Sequence, residues 1–80
     1  MSEPDIKVGR YGTTLTLPGG VVISHHPSDD PYGYQIRRGG ELVLRWGARA
    51  FALRLLHEEV GYPADEAERY LAAVDRGELP

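Results

Sequence analysis

His25 and His26, followed by Asp29 and Asp30 and joined from later in the chain by His57, are the ligand-type side chains that stand closest together. Imidazole and carboxylate groups so placed would bind a divalent transition metal such as zinc. Their spacing argues otherwise. Adjacent residues of a strand point to opposite faces, so one ion cannot take both histidines. His57 falls on a predicted helix, on the side away from its apolar stripe. The expectation is no bound metal and no other cofactor. Ser24 or Ser28 with a histidine and an aspartate would make a hydrolytic set. No nucleophile-elbow pattern surrounds either serine. The pairs Gly19-Gly20 and Gly39-Gly40 read as hairpin turns, since neither GxGxxG nor GxxxxGK[ST] is present. Nothing in the chain reads as an enzyme.

Charge is more informative. Arg37, Arg38, Arg45, Arg49 and Arg54 form a basic stretch opposed only by Glu41. Residues 1–57 carry a net +2 and residues 58–80 a net −5, within an overall −3. A basic side and an acidic end are therefore expected. An arginine-bearing sheet face can hold single-stranded nucleic acid when aromatic rings lie beside it. Here the acidic total opposes polyanion binding, and the strand tyrosines are expected to point inward.

Eighty residues allow one domain, expected to span 1–80 with Met1–Asp5 fraying. There are no cysteines, so disulfides and thiolate metal sites are excluded. No apolar run approaches the ~18 residues of a membrane span. The start of the chain lacks the apolar region of a signal peptide. A cytoplasmic protein away from membranes is the expectation.

These side chains need elements to position them. Thr13–Leu17 and Val21–His25 read as strands around Pro18-Gly19-Gly20. A three-residue loop there sets Leu17 opposite Val21 and Leu15 opposite Ile23. His26–Pro31 is a loop. Tyr32–Arg37 and Glu41–Arg45 form a second hairpin, and Ile6–Arg10 is a candidate fifth strand. A three-residue loop at Arg38–Gly40 would set Arg37 opposite Glu41, Ile36 opposite Leu42 and Tyr34 opposite Leu44, and it is favoured over a two-residue loop pairing Arg37 with Leu42. From Trp46 onward the pattern becomes helical: Ala48, Phe51, Ala52, Leu55 and Leu56 follow i, i+3, i+4, i+7, i+8. Gly61 and Pro63 stop that helix near 48–60 and open a second near 64–76, with Ala67, Tyr70, Leu71 and Val74 inward.

The reading is thus α+β: an antiparallel meander of four or five strands, then two helices on one face. Leu44, Trp46, Phe51 and Leu55 are expected in one core. Arg37 and Arg45 should project from the uncovered face, with Arg49 nearby in sequence and Val22 and Val43 as its apolar positions.

The segment YGYQIRRGGELVLRWGARAFALRLL, through Tyr34, Trp46, Gly47, Ala52, Leu55 and Leu56, resembles a family of small bacterial and phage proteins of unknown function (the DUF6166 type). The Gly-Ser-Gly-Pro helix entry typical of that family is replaced by Gly47-Ala48-Arg49. The resemblance implies no activity and no functional residue. Separately, LLHEEVGYPADEAERYL is similar to the first two helices of a ubiquitin-associated domain, with Val60-Gly61-Tyr62-Pro63 at the turn.

Small size, segregated charge and an uncovered sheet face point to a non-enzymatic adaptor or regulatory module that binds another protein or a second copy of itself. The alternative is a nucleic-acid-binding module using Arg37, Arg45 and Arg49.

Overall fold

A computed structural model describes residues 3–80. The expected fraying of Met1–Asp5 falls in part outside them, at residues 1–2. Asp5 itself already pairs with Thr16. Five antiparallel strands follow one another in a meander, order β1-β2-β3-β4-β5: Asp5–Val8, Thr13–Leu17, Val21–His25, Tyr34–Arg38 and Glu41–Gly47. Helix α1 is Arg49–Leu55, widening into a π turn at Leu56–Val60, and helix α2 is Ala64–Arg76. The α+β meander with two following helices is therefore the architecture.

Cross-strand partners share a face, so the register sorts side chains into rows. Ile6, Leu15, Ile23, Ile36 and Leu44 make the central inward row. Below it lie Leu17 and Val21, and above it Thr13, His25, Tyr34 and Gly47. Ala52 and Leu56 of the first helical segment cover this face with Ala67, Leu71, Ala73 and Val74 of α2. Three of those six are alanines, whose small side chains let the helices sit close against branched strand residues. Leu15, Ile23, Ile36, Leu56 and Leu71 have no solvent exposure. Each such burial contributes about 1.5–3 kcal/mol relative to exposure.

The first hairpin has the expected register, Leu17 with Val21 and Leu15 with Ile23. The second does not. Its turn is the two residues Gly39-Gly40, with φ of 58° and 87°. Two successive positive φ values give the tight hairpin turn whose twist matches its strands. Arg38 then pairs with Glu41 and Arg37 with Leu42. That register alone would turn Val43 inward in place of Leu44. One extra residue in β5, Val43, restores Leu44 opposite Ile36, and a second irregularity sets Gly47 opposite Tyr34. Such bulges disrupt the ladder locally and increase strand twist.

The expected shared core of Leu44, Trp46, Phe51 and Leu55 is corrected. Leu44 is buried and Leu55 half-buried, but Trp46 is 41% and Phe51 46% exposed. The inward stripe of the first helix is Arg49, Ala52, Leu53, Leu56 and Val60, at i, i+3, i+4, i+7 and i+11. In this rotation Ala52 and Leu56 are fully buried and Arg49 reaches Glu68 and Asp75 on α2. Phe51, two positions on, is carried outward. Tyr32, expected at the start of β4, lies in the preceding loop and is exposed.

Candidate interaction surface

Both helices lie on one face of the sheet, and the other face is uncovered. Its lower row runs Asp5, Thr16, Val22, Arg37, Leu42 across the five strands. Its middle row runs Lys7, Thr14, Ser24, Gln35. Hydroxyl, amide and charged groups predominate, and β-branched threonine suits a half-exposed strand. Thr14 Oγ1 and Ser24 Oγ lie 3.4 Å apart.

The upper row is built differently. Gly12 and Gly33 flank His26, and neither position has room for a side chain. A Cβ on Gly12 would lie 2.5 Å from the His26 Cδ2, and one on Gly33 would lie 2.4 Å from the His26 carbonyl oxygen. Gly33 thus admits the carbonyl, and Gly12 the ring, of His26. Its ring centroid is 4.9 Å from that of Trp46, tilted by 48°. His26 is the strand neighbour of inward His25, so alternation puts it on the uncovered face. Trp46 shares that face because it touches His26. The second irregularity of β5, over Arg45 and Trp46, is what turns the indole out.

Directly behind this pair, on the helical side, is a polar network. His25 is 8% exposed and stacks on Tyr34 at 4.2 Å with 9° between the rings. His25 Nε2 lies 2.9 Å from Asp30 Oδ1, so that nitrogen carries the proton. His25 Nδ1 faces Asp75 Oδ1 at 3.7 Å. The Tyr34 hydroxyl donates to Asp75, and Arg49 Nε donates to Asp75 Oδ2 at 2.8 Å. A further Arg49 nitrogen reaches Glu68 Oε1 at 2.7 Å. Burial and then the bond to Asp75 push the Tyr34 phenol well above its ordinary value. No buried side-chain nitrogen or oxygen among the described residues lacks a partner. These groups bind one another and tie the β3–β4 loop to both helices.

The other candidates fall as follows. Adjacent His25 and His26 do take opposite faces. His57 is exposed, with Nδ1 2.7 Å from the Tyr62 carbonyl oxygen. Among the described residues no three His, Cys, Asp or Glu side chains gather as a metal-holding group. Ser28 lines an open hollow of about 320 Å³ with Arg10, Tyr11 and Pro27. Arg37 and Arg45 are exposed. Arg49 is not brought to them, because it is committed to Glu68 and Asp75 in the helical layer. Val22 is half-buried within the uncovered face, whereas Val43 packs against the core. The bulge that restores Leu44 is what withdraws Val43.

Sequence reasoning missed the His26–Trp46 pair. The two glycines and strand alternation could have placed His26, but nothing in the sequence marks the irregularity that exposes Trp46. Compared with family models, with curated proteins and with solved structures, the chain matches none of them.

Proposed function

We propose that this chain is a small non-enzymatic binding module, an adaptor or regulator acting in the cytoplasm, and that it binds another protein through its uncovered sheet face. The observation that carries the reading is Trp46, open on that face against His26 instead of filling the core. Tryptophan is among the side chains that most often dominate binding energy. It removes a large apolar area from water while its indole N–H keeps a polar contact. Support also comes from the helical side, where Arg49, Tyr34 and His25 are engaged with acids of the same chain. A second reading rests on the same ring pair: single-stranded nucleic acid stacked on Trp46 and His26, with Arg37 and Arg45 on its phosphates.

The test is capture from the source cell with wild-type protein and Trp46→Ala, at low and high salt, with and without nuclease. The expected result is a defined protein, identified by mass spectrometry, that survives nuclease and is lost with Trp46→Ala. Nucleic acid alone, released by salt, would replace this reading with the second. A dimer of the chain itself, dissociated by Trp46→Ala in sedimentation, would make the partner a second copy.

A further inference from the structure

Resting on the protein-binding reading, we infer that the segment docking on this face is acidic and apolar together: carboxylates that meet Arg37 and Arg45, and side chains that cover Trp46 and Leu42. Three arginines are engaged within the chain. Arg49 is paired with Glu68 and Asp75, Arg54 with Glu58 at 2.6 Å, and Arg38 donates to the Glu59 carbonyl at 2.9 Å. Arg37 and Arg45 have no acid within ion-pair distance among the described residues. Asp5, the acid of Arg37's own row, is roughly 14 Å away, three strand spacings of ~4.8 Å. Each of these two cations has an apolar neighbour. Leu42, 43% exposed, is the cross-strand partner of Arg37, and Trp46 follows Arg45. The acids of α2 sit on the far side of the sheet and do not occupy this surface.

A peptide fits these features better than a nucleic acid. Leu42 and Val22 offer aliphatic contact that a phosphodiester chain cannot use. The exposed Arg37, Leu42 and Trp46 lie on the face, so the partner engages side chains there.

Trp46 is the only tryptophan, so its emission reports the site directly. The probes are a short synthetic peptide alternating glutamate with leucine, its glutamine and lysine counterparts, and an oligothymidylate. The expected result is a saturable emission shift with the glutamate peptide, at least about tenfold weaker with the glutamine peptide. The double variant Arg37→Glu/Arg45→Glu, whose sites are exposed, should melt like wild type and exchange its preference for the lysine peptide. Equal binding of all three peptides, no shift with the glutamate peptide, or tighter oligothymidylate binding would overturn the inference. It fails alone, with the protein-binding reading intact, if a captured partner needs Trp46 but is indifferent to the double variant. The reading itself fails if no protein is captured.

Discussion

The two faces of one sheet differ in what their residues are committed to. On the inner face, aliphatic rows meet alanine-rich helix surfaces, and the polar groups at its end are bonded within the chain. On the outer face, residues drawn from the same strands stand one position away and leave two arginines, a leucine and a tryptophan without such partners. A half-exposed sheet normally presents polar groups to water. The difference teaches that Trp46 belongs with the surface, however much its size suggests a core.

Substitutions can break that comparison, and the inner face should give the largest effect. Ile36→Ala or Leu56→Ala removes a fully buried side chain and should cost about 2–5 kcal/mol, read by thermal or denaturant unfolding. For a chain this short that approaches the whole stability. A change no greater than that of Trp46→Ala would erase the distinction between the faces.

Asp75→Ala comes next. It leaves the Tyr34 hydroxyl and one Arg49 contact without their acceptor, a loss of about 1–3 kcal/mol for a part-buried group. Tyr34→Phe in the same background should add little further, since both changes break one bond. Full additivity would show that the network is not a unit.

Alkaline pH sharpens the same contrast. Burial and then hydrogen bonding to Glu66 push Tyr70 up to about 12, and burial and then Asp75 raise Tyr34. An unfolded tyrosine loses its proton near ~10. The folded state therefore holds protons that the unfolded state releases, and stability falls as pH rises from about 10 towards 12. Unfolding midpoints across that range should show the fall, and Tyr70→Phe should lessen it. A flat profile would show that the fold does not hold these two phenols in their protonated form.

The smallest effects belong to the surface. Phe51→Ala and Trp46→Ala should each cost less than either inner-face substitution, about 1–2 kcal/mol, while Trp46→Ala abolishes partner capture. A large loss of stability from either would return that ring to the core.

The sequence made the hydrophobic side of the fold legible because Leu15, Leu17, Val21 and Ile23 alternate without ambiguity. The β4–β5 hairpin resisted because Leu42, Val43 and Leu44 are three apolar residues in a row. Either register finds an apolar residue to bury, and the φ values of Gly39 and Gly40 decide between them. Phe51 fits the helical stripe as well as Ala52 does. The helix takes the rotation that buries Ala52 and Leu56 and lets Arg49 reach α2, tertiary contacts with no local trace. His25 was legible by alternation as an inward side chain, yet histidine beside an aspartate-rich loop reads first as a polar strand end. Its partner Asp75 lies fifty residues on.

That separation bears on the order in which the molecule can complete itself. Every strand pairs with its neighbour in sequence, so the meander can assemble hairpin by hairpin from the front of the chain. The rings of His25 and Tyr34 wait for the last turn of α2 to deliver Asp75. A sheet without its helices would show Leu15, Ile23 and Ile36 to water, the kind of surface on which unrelated chains collect. Ala52 and Leu56, with Leu71 and Val74 of α2, cover that surface, so the two helices keep the sheet from being adhesive.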